Sequence, residues 1–188
     1  MKVVALVGPS GSGKTTTLKY LKDYGYQIQE EGYLDVVPIN ISNKSVLSKW
    51  FWIRSWLHKI WIAKQNNISL IITDRIPLEA IPYAVEGSSL LDPLLITINE
   101  LRQYDIIVSS VYLRVPFEVC FNRSVDRIKR EPIREQYGET ELFYAKAIYD
   151  FYEKGIDQLW DFTIEACVSS PKAIADSVVT LINNKIIT

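Results

Sequence analysis

The chain has 188 residues, 48% of them hydrophobic, and a formal net charge of -1 at pH 7. That length suits one globular domain, residues 1–188, with a sizeable core, and the charge excludes a global field drawing it to nucleic acid or an anionic membrane. Two cysteines, Cys120 and Cys167, lack metal-ligand spacing and read as thiols of a reducing, cytoplasmic compartment.

In chain order, the apolar run Lys2–Val7 predicts a buried strand that begins at once and leaves no room for a signal peptide. It feeds Gly8-Pro9-Ser10-Gly11-Ser12-Gly13-Lys14-Thr15, which fits G-x-x-x-x-G-K-[ST], and then a helix over Lys14–Asp23 that includes Thr16. Strand, glycine turn and helix together cradle nucleotide phosphates on backbone N–H groups, aided by the positive helix end near Gly13. Lys14 is expected to reach the β- and γ-phosphates of ATP, and the Thr15 hydroxyl to take one position on Mg²⁺. A second strand over residues 26–29 ends at Glu30-Glu31, where a carboxylate would orient or deprotonate an acceptor hydroxyl.

Residues 44–65 predict a helix with aromatic faces, interrupted by Lys49, Arg54, His58 and Lys59 too often for a bilayer span. Trp50 and Arg54, at i and i+4, project side by side, so a ring able to stack on a base stands beside a guanidinium able to bond its edge. His58, the only histidine, reads as a helix-surface residue. A third strand over 69–73 delivers Asp74-Arg75: an acid to hold Mg²⁺ beside the phosphate loop, and an arginine to bind an acceptor phosphate through its planar fork.

A helix over 92–103 and a strand over 106–113 lead into a helix over 116–129. Arg123, Arg127 and Arg130 share a face of that helix and open a basic stretch running to Arg134. We expect a lid at about 123–137 whose arginines meet charge on the transferring phosphoryl group. A helix over 140–157, a strand over 162–168 and a helix over 171–183 complete the alternation. This order predicts an α/β fold with a parallel sheet and helices on both faces. Lys14, Glu31, Asp74 and Ser169 should converge at its carboxyl edge.

The chain resembles the thymidylate kinase and deoxynucleoside kinase superfamily over nearly its whole length. Asp74-Arg75-Ile76-Pro77-Leu78-Glu79-Ala80-Ile81-Pro82-Tyr83 looks like the thymidylate kinase stretch that opens with Asp-Arg-Tyr and ends at a pocket tyrosine. Trp50 and Arg54 match in spacing that family's base-stacking Phe and base-reading Arg. Val111-Tyr112-Leu113-Arg114-Val115-Pro116-Phe117-Glu118-Val119 is similar to the strand and proline-led helix that carry its lid. Phe143-Tyr144 through Tyr149-Asp150-Phe151-Tyr152 is similar to the aromatic helix after the lid.

The resemblance implies a P-loop NTPase fold with a five-stranded parallel sheet, an arginine-bearing lid, and an ATP- and Mg²⁺-dependent kinase. ATP would lie on residues 8–15 with its adenine near Arg123 and Ser169-Ser170-Pro171. Trp50 and Arg54 would hold the acceptor base, Tyr83 would close beneath its sugar and Arg75 would grip its phosphate. Lys14, Arg127 and Arg130 would stabilise the transferring group. The first acceptor this implies is dTMP.

Departures keep two alternatives open. Glu30-Glu31-Gly32-Tyr33 stands where thymidylate kinases carry Arg-Glu-Pro-Gly-Gly, and Ala84 replaces their usual glutamine. Glu118-Val119-Cys120 with Arg123 and Arg127 looks equally like deoxynucleoside kinases, which use a Glu near the position of Glu31 as base. Those enzymes carry Glu-Arg-Ser where this chain has Asp74-Arg75-Ile76. The alternatives are a deoxynucleoside kinase acting on a 5′-hydroxyl, and a P-loop ATP-binding switch with no small acceptor. An exposed aromatic helix face would pair two copies as a homodimer.

Overall fold

Five small or branched apolar residues in a row, Val3-Val4-Ala5-Leu6-Val7, form a strand with no face in solvent. Val3, Ala5 and Val7 point into one core cluster, and Val4 and Leu6 into the other, as the period of two requires. The protein is described by a computed structural model over residues 1–38, 40–155, 157–167 and 169–186. Its elements are β1 (Lys2–Val7), α1 (Lys14–Asp23), β2 (Ile28–Gln29), α2 (Tyr33–Val36), α3 (Val46–Gln65), β3 (Leu70–Asp74), α4 (Leu91–Glu100), β4 (Ile107–Arg114), α5 (Phe117–Arg130), α6 (Leu142–Lys154), β5 (Phe162–Glu165) and α7 (Pro171–Leu181).

The strands form one parallel five-stranded sheet in the order β2-β3-β1-β4-β5. One face is covered by α3, α4 and α6 through Trp52, Trp56, Ile60, Leu94 and Tyr152; the other by α1 and α7 through Leu18, Leu21, Ile174 and Val178. This is the P-loop kinase-like α/β architecture expected, with the basic helix α5 rising from the end of β4 beside the phosphate loop. Registry places Asp74 opposite Leu6, so the carboxyl ends of β1 and β3 open at the same edge.

The predicted elements differ mainly at their ends. The second strand keeps only Ile28–Gln29, because it pairs on one side alone. Ser45 starts α3 by accepting the Ser48 N–H at 3.1 Å, which sets its first residue at Val46 rather than 44. The helix expected over 92–103 tightens after Glu100 into a 3-10 turn, Leu101–Tyr104. The helix over 140–157 ends at Lys154 before Gly155, and the strand over 162–168 ends at Glu165; Ile156 and Val168 lie outside the described residues. The segment after Arg75 holds a 3-10 helix, Pro77–Tyr83, that periodicity did not indicate. Among the described residues no helix is long and apolar enough to cross a membrane.

Candidate active site

The phosphate loop takes the path its glycines allow. Gly8, Gly11 and Gly13 have φ of 149°, 80° and 97°, values that a side chain resists. At Gly11 a Cβ would also collide with the backbone of Cys120, so the loop is seated directly on α5. The Lys14 ammonium lies inside the loop, donating to the carbonyls of Gly8 at 2.5 Å and Pro9 at 3.1 Å. Burial, then the nearby Arg75 charge, lower its pKa, so an anion entering the loop would relieve both effects. Arg123 donates to the Gly11 carbonyl at 3.1 Å. Thr16 is exposed on α1, away from the cavity described below.

Thr15 and Asp74 face one another across the β1–β3 edge, with the Thr15 hydroxyl 3.4 Å from Asp74 Oδ2. Asp74 Oδ1 is buried with no hydrogen-bond partner. Burial raises the Asp74 pKa despite the opposing charges of Lys14 and Arg75. A carboxylate oxygen left bare in this way fits a hard cation, with Thr15 as second protein ligand and water and phosphate oxygens as the rest. Among the described residues no group of three or more His, Cys, Asp or Glu could hold a metal ion.

Arg75, whose position in the sequence suggested a contact with an acceptor phosphate, is paired here with the carboxylates of Glu31 and Glu79. Its Nε lies 2.8 Å from Glu31 Oε1, as an ion pair without hydrogen-bond alignment. Its Nη1 donates to Glu79 Oε1 at 3.1 Å and to Tyr152 at 3.3 Å, and the guanidinium lies 5.3 Å from the centre of the Tyr83 ring. Burial alone would lower its pKa, but Glu31 and its other partners raise it well above the usual value, so it stays charged.

Glu79, not among the site residues expected from the sequence, is the centre of this network at 1% exposure. It accepts from the Gly8 N–H at 3.1 Å, the Tyr152 hydroxyl at 2.6 Å and the Ile76 N–H at 3.1 Å. The last contact is an acid reaching back to the start of its own helix, the one local signal that could have flagged it.

Glu31, Asp74, Arg75, Tyr83 and Thr15 line a cavity of about 420 Å³, together with Lys49, Trp52, Tyr33, Arg127, Arg134 and Glu139. Trp50 and Arg54 do not line it: Trp50 is 40% exposed and Arg54 is exposed on another face of α3. The helix phase instead turns Lys49 and Trp52 inward, at 5% and 3% exposure. Arg130 is likewise exposed and away from the cavity, whereas Arg127 and Arg134 reach it. Both of these are held by nearby carboxylates: Arg127 and Arg134 by Glu131 at 3.1 and 2.6 Å, and Arg134 also by Glu139 at 3.4 Å. Glu139 accepts the Ser10 hydroxyl at 3.1 Å, pinning the lid to the phosphate loop. Ser170 caps α7 through the Ala173 N–H at 3.2 Å.

A family model described as an AAA domain matches residues 4–143. No curated protein matches the chain. Among solved structures, it is similar to deoxyadenosine kinase from M. mycoides with bound dATP, at a TM-score of 0.59 and 21% identity, covering 98% of this chain and 100% of that one. The same enzyme with products dCMP and a flexible dCDP bound aligns at 0.57 and 20% identity, covering 97% and 99%. Shikimate kinase from Acinetobacter baumannii in complex with shikimate aligns at 0.61 and 17% identity, covering 98% and 94%. At these identities the likeness is one of fold.

Proposed function

Because this chain belongs to the AAA domain family, with a P-loop kinase-like fold, we propose that it transfers the γ-phosphoryl group of ATP to a small hydroxyl acceptor, a nucleoside 5′-hydroxyl foremost. The observation that carries this reading is Glu31. It opens on the cavity beside the phosphate loop, 2.8 Å from Arg75. A hydroxyl must lose a proton to become a good nucleophile, and a phosphate acceptor need not. Arg75, already held by two carboxylates, is a poor grip for a monophosphate. This favours the nucleoside over dTMP.

In this reading Lys14 exchanges its loop carbonyls for β- and γ-phosphate oxygens, and Arg123 stays on the donor side. Thr15 and Asp74 would hold a magnesium ion, which would supply charge neutralisation on those phosphates. Glu31, oriented by Arg75, takes the hydroxyl proton while the acceptor oxygen bonds to the γ-phosphorus and the bond to the bridging oxygen breaks. Arg127 and Arg134 approach the transferred group once released from their nearby carboxylates; Trp52, Tyr33 and Tyr83 supply apolar walls for the acceptor.

The test is an ATP assay against deoxynucleosides, their monophosphates and no acceptor. Nucleosides should be phosphorylated. Glu31→Gln should lower kcat by about 10²–10⁴-fold with little change in KM, and Lys14→Ala should abolish turnover with an unchanged circular dichroism spectrum. Turnover of monophosphates alone would restore the dTMP reading. ATP hydrolysis indifferent to every acceptor would instead indicate a nucleotide-dependent switch.

A further inference from the structure

Lys49 stands out in the cavity as a buried cation whose hydrogen-bond partners, among the described residues, are neutral. Its Nζ donates to the Asn43 carbonyl at 2.5 Å and to the Tyr33 hydroxyl at 3.1 Å. It lies 4.6 Å from the centre of the Tyr33 ring and 5.9 Å from that of Tyr83. An ammonium carries three N–H donors and no acceptor, so these two contacts with described residues take two of the three at the edge of the cavity it lines. Burial, then repulsion from Arg75, bring its pKa down to about 8, with Glu31 opposing. The Arg75 side of Tyr83 already has its carboxylates in direct contact; on the Lys49 side the direct contacts among the described residues are oxygen dipoles and aromatic rings, with Glu31 acting from farther off.

We propose that Lys49 is a specificity-determining residue of the acceptor site, donating to a carbonyl oxygen on the base and so favouring nucleosides whose base carries one over adenine nucleosides. The inference rests on the nucleoside-kinase reading above. Tyr33, Tyr83 and Trp52 offer flat apolar surface for a planar base, and Lys49 supplies a fixed, donor-only point at its edge. Thymine, cytosine and guanine each present a carbonyl oxygen. Adenine presents none, and its exocyclic amino group would set donor against donor, a repulsive element that sharpens the choice.

Steady-state kinetics with the four deoxynucleosides provide the test. The wild type should show kcat/KM for thymidine and deoxyguanosine at least about tenfold above that for deoxyadenosine, since a site built to bond a substrate group discriminates against its absence. Lys49→Met, of similar length, should lower kcat/KM for thymidine at least about tenfold more than for deoxyadenosine, and Lys49→Gln, which keeps a donor, should recover part of that gap. Equal wild-type turnover of all four, or a loss in Lys49→Met that is uniform across bases, overturns the inference and leaves the kinase reading standing. The wild-type comparison decides even if the variants fold poorly. Phosphorylation of no nucleoside at all sinks the kinase reading and this inference with it.

Discussion

Arg75 has a φ of 75°, a left-handed conformation that costs a side-chain-bearing residue about 1–3 kcal/mol. It is held there from several directions. Its N–H donates to the Leu6 carbonyl at 3.0 Å, and its own carbonyl accepts from Trp56 at 3.2 Å and Thr73 at 2.8 Å. The side chain then meets Glu79, whose carboxylate also holds Gly8 at the mouth of the phosphate loop. Burial raises the Glu79 pKa, and the Arg75 and Lys14 charges counter it, so its ionised form depends on those neighbours. Removing one member of such a buried pair strands the other. Glu79→Gln should therefore cost about 3 kcal/mol in urea unfolding; a loss below about 1 kcal/mol would show that the network is not what holds the segment. Asp74-Arg75 was recognisable because an acid and an arginine end an apolar strand. Their partners were not, since Glu31 and Tyr152 approach Arg75 from distant parts of the chain.

At the scale of elements, α3 and the lid separate what periodicity reveals from what it conceals. The helix α3 was evident from its length and composition, but its four tryptophans and the apolar residues around the whole helix left its inward face ambiguous. The fold turns Lys49 and Trp52 to the cavity, so the pair Trp50 and Arg54, though spaced on one face, lies away from it. The lid is comparable. A basic stretch between 123 and 134 marks it, but only packing separates Arg127 and Arg134 from the exposed Arg130. Glu139 sits on Ser10 and pairs with Arg134, a carboxylate placed where phosphate oxygens are expected. Glu139→Gln should tighten ATP binding about two- to fivefold, the range of one partly exposed charge contact, as read by calorimetry with magnesium present. Unchanged or weaker affinity would show that this contact does not compete with nucleotide.

Across the whole molecule, the sheet's outer side is closed by an ion network linking β4, β5 and α6. Arg114 binds Glu153 at 2.7 Å and Glu165 at 3.1 Å, and the Tyr112 hydroxyl donates to Glu153 at 2.8 Å. Burial would raise the Glu153 pKa, but the hydrogen bonds from Arg114 and Tyr112 outweigh it and hold the carboxyl below its ordinary 4.5. A carboxyl depressed in the folded state adds stability above its unfolded pKa and loses it as pH falls through the folded value. The wild type should therefore melt higher than Glu153→Gln at pH 7, by about 2 °C after discounting for solvent screening, and the gap should close as pH drops below 4.5. A gap that persists at pH 3 would assign the difference to packing.

The amino acids announce directly those features that depend on neighbours in the chain. Eight contiguous residues make the phosphate loop, and alternating periods of two and 3.6 make the α/β succession with its parallel sheet. Partnerships across the chain needed the fold, because no local pattern encodes them. Gly8 meets Glu79 across 71 positions, and Arg75 meets Tyr152 across 77. The face that an aromatic-rich helix turns inward, and the carboxylates that claim Arg75, follow from how strands β1, β3 and β4 bring those distant side chains to one edge, where burial leaves a charge stable only beside its counterpart.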